Sequence, residues 1–177
     1  LDEPLPDRSG GACTGGEVWP PVYRVHGKGS ALGVEPPINR RCLCGGVQFE
    51  IARAAGPFEL CHCSRCRKAS GSAFIAGLGV RRDDFHLVQG RDLIRTFEAP
   101  VRESPPGYRT SFCGRCGSPV PDRDSDSPWL EIAAGTLDDD PGVRPERHIF
   151  VDFKAPWFAI TDSSPQLDKV ALRLLRR

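Results

Sequence analysis

Apolar and polar side chains alternate over short stretches of the chain, and this alternation predicts β-strands. Val47 to Ile51 has the pattern of a half-buried strand, and Phe58 to Cys63 predicts the next one. Further strands are predicted at Ala73 to Val80, Phe85 to Val88, Leu93 to Phe97, Tyr108 to Cys113, Trp129 to Ala133 and His148 to Phe153. The predicted fold class is therefore mainly β, built from small antiparallel sheets with few short helices.

Three cysteines lie close together at the end of the second predicted strand. Because side chains alternate along a strand, Cys61 and Cys63 share one face and His62 lies on the other. We therefore expect His62 to pack or be solvated there and not to bind a metal with its neighbours. Cys66 is expected to follow from a turn or short helix that starts near Ser64, a residue type that suits an N-cap.

The chain of 177 residues suits one domain with a sizeable core. Glycine and proline punctuate residues 1–40, which predicts an extension of loop or extended chain. Residues 41–168 are predicted to form the main domain, and residues 169–177 a short, basic and solvated tail of one or two helical turns. Cys13 is interpreted as an unpaired loop cysteine, with ligation of a metal beside the middle cysteines as the alternative.

Seven of the eight cysteines fall in three clusters, and their spacing favours metal ligation. Cysteines one residue apart cannot easily bond to each other, which argues against disulfides. The first and third clusters together offer the four thiols of a structural zinc, named here the outer site: Cys42, Cys44, Cys113 and Cys116. The middle cluster offers three thiols and a free fourth position, the pattern of a reactive zinc, named here the trio: Cys61, Cys63 and Cys66. Iron or an iron–sulfur cluster also uses thiolate ligands and is the lower-ranked alternative.

Composition narrows the function classes. Hydrophobic residues make up 39% and charged residues 27% of the chain, as in ordinary globular proteins, and the net charge is +1. The near-neutral charge argues against a nucleic-acid or membrane-surface partner. No apolar run approaches the ~20 residues of a membrane span, and no signal peptide is visible. Abundant unpaired thiols favour a reducing compartment, so we expect a cytoplasmic protein.

The cysteine motifs resemble those of a known family. Cys42-Leu43-Cys44-Gly45-Gly46-Val47, Cys61-His62-Cys63-Ser64-Arg65-Cys66-Arg67-Lys68-Ala69-Ser70-Gly71-Ser72 and Phe112-Cys113-Gly114-Arg115-Cys116-Gly117-Ser118-Pro119 are similar to the glutathione-dependent formaldehyde-activating enzyme family (the Gfa/CENP-V family). Ala134 to Asp138, His148 to Val151 and Lys154 to Trp157 continue the resemblance. It implies an Mss4-like fold, two zinc ions with a labile one on the trio, and addition of glutathione to formaldehyde to give S-hydroxymethylglutathione.

The residues around the trio suit such chemistry. A metal ion removes the proton from a bound thiol at neutral pH, and the thiolate can then add to a small carbonyl. Basic side chains next to the trio are candidates for binding the carboxylates of glutathione, together with a hydroxyl: Arg65, Arg67, Lys68 and Ser70. A solvated basic turn is an equal alternative for the three cations. Trp157 is expected in the core, as large aromatic residues usually are.

Two function hypotheses follow. The first is a zinc-dependent carbon–sulfur lyase-type enzyme that joins glutathione, or a related thiol, to formaldehyde or another small electrophile. The second is a non-catalytic zinc scaffold that binds a protein partner. A chromatin-binding role is discounted, because the extension carries balanced charge. The oligomeric state is not predicted.

Overall fold

The computed structural model of the protein describes residues 38–102, 107–122 and 126–176. Two short α-helices and eleven strands are assigned within them. The strands are β1 Ile38–Arg41, β2 Gln48–Ile51, β3 Phe58–Cys61, β4 Ile75–Arg81, β5 Phe85–Gln89, β6 Ile94–Glu98, β7 Arg109–Cys113, β8 Pro119–Val120, β9 Trp129–Ala133, β10 Arg147–Ile149 and β11 Gln166–Leu167. The helices are α1 Ser64–Ser70 and α2 Lys169–Leu175.

The strands form three small sheets. Two are three-stranded and antiparallel, with the orders β1-β2-β5 and β6-β7-β8. The third is five-stranded, in the order β11-β10-β3-β4-β9, and β10 runs parallel to both β3 and β11. The predicted mainly β class with few short helices is confirmed. The prediction of antiparallel sheets holds for two of the three.

Several strands form where side chains alternate and one face is buried, as in β2, β7 and β9. Gln48–Ile51 buries Phe49 and Ile51 and leaves its other side chains half-exposed. The largest buried cluster joins Phe49 to apolar side chains of β4 and β9, including Leu78 and Ile132. A second, smaller cluster surrounds the trio.

Three local predictions are corrected by the structure. The strand that begins at Phe58 ends at Cys61, two residues earlier than expected, and the chain then turns into α1. The N-cap of α1 is Cys63 and not Ser64: its sulfur accepts a hydrogen bond from the Cys66 backbone, an acceptor role that serine usually fills. The short tail helix is present, but the tail is not a solvated end, because Leu172 of α2 is buried.

Within the described residues, no helix has the length and apolar character needed to cross a bilayer.

Candidate metal centre

The outer site joins two of the three sheets. Cys42 and Cys44 lie in the loop between β1 and β2, and Cys113 and Cys116 lie at the end of β7 and in the turn after it. All four sulfur atoms lie within 4.8 Å of one another. The structure brings together the four thiols that were predicted to form one site, although the two pairs lie about seventy residues apart in the sequence.

Backbone geometry shapes both cysteine loops of the outer site. Gly45 and Gly117 follow the second cysteine of each pair with φ values of 71° and 75°, a left-handed conformation that glycine adopts without strain. The Val47 backbone N–H donates to Cys42 Sγ at 3.2 Å, as expected for a sulfur that carries negative charge. These contacts aim the thiols at a common point.

Ser118 connects the two loops of the outer site. Its hydroxyl oxygen accepts a hydrogen bond from the Leu43 backbone at 3.0 Å and lies 3.4 Å from Cys116 Sγ. Hydrogen bonds from the side chain and backbone of Ser118 lower the pKa of Cys116 to about 5. The Cys116 sulfur is therefore prepared to act as a thiolate, the form that binds a metal.

The sulfur separations fit a tetrahedral metal site. A zinc ion about 2.3 Å from each of four thiolates would hold the sulfurs about 3.8 Å apart. Cys42 Sγ lies 3.5 Å from Cys44 Sγ, which in turn lies 3.8 Å from Cys113 Sγ. The outer site thus has the ligand number, the ligand type and the dimensions of a closed zinc site.

The trio forms where β3 gives way to α1. Cys61 is the last residue of β3, Cys63 caps the helix and Cys66 lies in its first turn, so their three sulfur atoms converge within 4.8 Å. All three are buried, and no further Cys, His, Asp or Glu among the described residues joins them. Cys13, the alternative fourth ligand, lies outside the described residues. Three soft ligands at this spacing fit a thiophilic ion with one position left for another ligand.

The trio is packed against the carboxyl end of β10 and against α2. Ile149, Phe150 and Leu172 are buried in the same cluster as the three cysteines. Phe150 has φ 55° and ψ 43°, the left-handed region that a bulky residue rarely enters. Backbone strain of this kind persists only where the surrounding packing enforces it, and it is frequent at functional sites.

The four residues predicted to bind substrate occupy different environments. Arg65 is buried, with its guanidinium 5.7 Å from the centre of the Tyr108 ring and one nitrogen donating to the Pro100 carbonyl at 2.9 Å. Arg67 is half-buried and its Nε has no hydrogen-bond partner among the described residues, whereas Lys68 is exposed. The Ser70 hydroxyl lies 2.9 Å from the Cys66 carbonyl and stabilises the end of α1.

His62 lies apart from the thiols, as the strand pattern predicts. Its ring packs between Phe74 and Phe158 and contacts His148, whereas the cysteines pack against Ile149, Phe150 and Leu172. Burial, reinforced by the neighbouring His148, lowers the pKa of His62 to about 4. The ring is therefore neutral at physiological pH.

Trp157 is not a core residue, contrary to expectation. It is 72% exposed and meets Phe158 edge to face, with the ring centres 6.2 Å apart. It follows Pro156 in an irregular segment after a short 3-10 helix at Val151–Phe153, where no sheet covers it. Its neighbour Phe158 takes the inward position instead.

Two residues, one packed on the trio and one connected to its neighbourhood through His148, were missed by the sequence reasoning. Asp162 lies in a polar segment without periodicity and contacts His148, and Leu172 lies in the tail that was expected to be solvated. Only the spacing of apolar residues in 170–175 gave a signal for Leu172. Nothing in the local sequence distinguishes Asp162 from the other surface aspartates.

Comparison with known proteins identifies a family for this chain. The family model described as "Glutathione-dependent formaldehyde-activating enzyme" matches residues 37–153. A Halomonas elongata protein named "Putative glutathione-dependent formaldehyde-activating enzyme" is 32% identical over 126 residues, which cover 67% of this chain and 78% of that protein. A crystal structure of a Rhodobacter sphaeroides protein, solved as a structural-genomics target, is 20% identical with a TM-score of 0.46, covering 73% of this chain and 99% of that one. From the family match and the Halomonas relative, the chain belongs to the glutathione-dependent formaldehyde-activating enzyme family.

Proposed function

We propose that the protein is a zinc-dependent carbon–sulfur lyase-type enzyme that adds glutathione, or a related thiol, to formaldehyde or another small electrophile. The observation that carries the proposal is the trio: three buried thiols at metal-binding separation, with no fourth ligand among the described residues, in a chain of this family. The outer site is proposed to hold a second zinc ion with a structural role.

The chemistry requires a thiolate at neutral pH. A zinc ion held by Cys61, Cys63 and Cys66 would lower the pKa of a substrate thiol that occupies its fourth position. In the addition, the carbon–sulfur bond forms, the carbonyl π-bond breaks, and the proton lost by the thiol ends on the new hydroxyl. The three cysteines are buried, and electrostatic interactions are stronger in such a low-dielectric environment than in water.

Positive charge beside the trio supports an anionic thiol as substrate. Arg67 and Lys68 are proposed to bind the carboxylates of glutathione, because neither makes an ion pair with a described residue. Arg65 and Ser70 were also predicted to bind substrate, and this stays a prediction. Their hydrogen bonds to Pro100 and Cys66 favour a role in shaping α1. The seven described cysteines form no disulfide, which supports a reducing compartment such as the cytoplasm.

Calorimetry and NMR exchange would test the proposal. Glutathione should bind with release of a proton, seen as a dependence of the binding heat on the ionisation enthalpy of the buffer. Cys63→Ser should abolish binding and leave the outer zinc in place. NMR exchange between formaldehyde and glutathione should be faster with the enzyme than in its absence. A small uncharged thiol should bind more weakly than glutathione, and Lys68→Ala should reduce that difference.

Two outcomes would contradict the proposal in different ways. If glutathione binds but does not accelerate the exchange, formaldehyde is the wrong electrophile. If no thiol binds and the trio is closed by a fourth protein ligand, the enzyme hypothesis fails and the scaffold hypothesis replaces it.

A further inference from the structure

A buried chain of hydrogen bonds starts one residue from the trio and ends at the protein surface. His62 Nε2 lies 2.8 Å from His148 Nδ1, and His148 Nε2 lies 3.0 Å and 3.2 Å from the two carboxylate oxygens of Asp162. His62 is 0% and His148 2% exposed, whereas the Asp162 side chain is 53% exposed. The three residues are separated in the sequence, so these hydrogen bonds form only in the folded protein.

The carboxylate sets the direction of the chain. Hydrogen bonds from the side chain and backbone of Ser164, followed by the contact with His148, lower the pKa of Asp162 to about 2. The carboxylate is therefore an acceptor, and His148 must donate its Nε2–H to it, wherever the other ring protons reside. This bond fixes the orientation of the His148 ring, which in turn holds His62.

The same contacts determine where the trio begins. β3 and β10 are paired with Leu60 beside His148 and Cys61 beside Ile149, and the His62 backbone N–H donates to the Ile149 carbonyl at 3.0 Å. His62 is thus held by its backbone and its side chain to two successive residues of β10. A rotation of the chain at Cys61 or Cys63 would break both contacts.

Aromatic packing holds the other side of the His62 ring. Phe74, in the segment that follows α1, lies 5.4 Å from it, and Phe158 lies 5.8 Å from it, measured between ring centres. The Phe158 carbonyl accepts a hydrogen bond from Lys154 Nζ at 2.7 Å. The His62 ring is therefore the point at which β3, β10 and the segments after α1 and after β10 meet.

We propose that His62, His148 and Asp162 are positioning residues for the trio, holding the backbone of residues 61–66 so that the three thiols lie at metal-binding separation. The inference rests on the proposed metal at the trio, but it concerns residues that do not ligate that metal. The family model matches residues 37–153, so Asp162, which holds His148, lies outside the matched part of the chain.

The experiment uses Co²⁺ as the probe and the outer site as an internal control. Zinc is left in the outer site, the trio is emptied with a chelator, and Co²⁺ is then titrated while its thiolate charge-transfer and d–d bands are followed. Asp162→Ala should raise the dissociation constant of the trio for Co²⁺ by about 10-fold, the lower end of the loss typical for direct partners of metal ligands, because Asp162 acts on the thiols through the two histidines. It should also shift the d–d bands and leave the outer zinc content unchanged.

Matched variants separate positioning from general stability. Asp152→Ala removes an exposed aspartate outside the chain of hydrogen bonds and should bind Co²⁺ like the unchanged protein. His62→Gln keeps a donor near the Nε2 position and should retain more affinity than His62→Leu. Because Asp162 acts through His62, Asp162→Ala should add little to the loss caused by His62→Leu.

Three results would overturn the inference. If the unchanged protein binds no Co²⁺ at the trio, the proposed metal function fails and the inference fails with it. If the trio binds Co²⁺ and Asp162→Ala changes neither the affinity nor the spectrum, only the positioning role is refuted. If Asp162→Ala releases the outer zinc equally and lowers the thermal midpoint, the chain of hydrogen bonds stabilises the fold as a whole and is not specific to the trio.

Discussion

At the scale of single residues, the outer site depends on a close backbone approach outside its own loops. Gly90, just after β5, has φ 82°, and a side chain there would collide with the Gly46 carbonyl and lie 2.8 Å from Val47 Cα. Val47 is the residue whose N–H donates to Cys42 Sγ. Because Gly90 has no side chain, the end of β5 can pack closely against the loop that carries Cys42 and Cys44.

Gly90→Ala should destabilise the protein and weaken the outer site. The expected loss is about 2–4 kcal/mol, from about 1–3 for the collision and about 1 for the left-handed backbone. Gly135→Ala is the matched control, because nothing lies within 4 Å of a methyl at that exposed position and its backbone is not left-handed. Urea unfolding of both variants measures the difference. Equal stability of the two variants would contradict the role given to Gly90.

At the scale of elements, α2 connects the end of the chain to the trio. Leu172 is 1% exposed in the cluster that contains the three cysteines, and Arg176 donates to Glu59 of β3 at 3.0 Å. Glu59 is also paired with Arg147 at 3.5 Å, and burial raises its pKa against the opposing effect of the two arginines. The helix thus packs on the three cysteines and is bonded to the strand that carries Cys61.

Leu172→Ala should destabilise the protein by about 2–5 kcal/mol, because it leaves a cavity beside the trio. Leu174→Ala makes the same change two residues away, on the other side of α2, at a position that is 62% exposed, and should stay within about 0.5 kcal/mol. Denaturant unfolding tests stability, and the rate at which a chelator removes the trio metal tests access. Only Leu172→Ala should increase that rate. A similar increase in Leu174→Ala would show that α2 does not control access through its buried face.

Most strands, but not their pairing, were predictable from the local sequence pattern. Apolar and polar patterns located β2, β4, β5, β6, β7 and β9 to within two residues at either end, although alternating burial is seen only in β2, β7 and β9. The parallel pairing of β10 with β11 was not predicted. A strand as short as β10, with three residues, shows no periodicity, and its parallel neighbour is determined by tertiary contacts. The hydrogen bond between His62 and His148 spans 86 residues of sequence and is likewise invisible locally. The cysteine groups were predictable because ligand type and spacing are themselves local signals.

At the scale of the whole molecule, the two proposed metal sites have different relations to the fold. The outer site draws its thiols from two sheets, so closing it fixes a loop of about seventy residues and joins separate layers. The trio draws all its thiols from residues 61–66, which β3 and α1 already hold in place. Metal binding at the outer site should therefore contribute to folding, whereas binding at the trio should contribute mainly to chemistry.

Removing one ligand from each site should separate these roles. Cys113→Ser should release one equivalent of zinc and lower the thermal midpoint by more than about 10 °C, because several kcal/mol of the binding free energy, on the order of 10 in small zinc domains, is folding free energy. Cys66→Ser should release the other equivalent and shift the midpoint by only a few degrees, about what a substitution outside the main core produces. Zinc content by mass spectrometry and unfolding by calorimetry measure both effects in the same samples. If Cys66→Ser lowers the midpoint as much as Cys113→Ser, the trio is a second structural site and the distinction between the two sites is wrong.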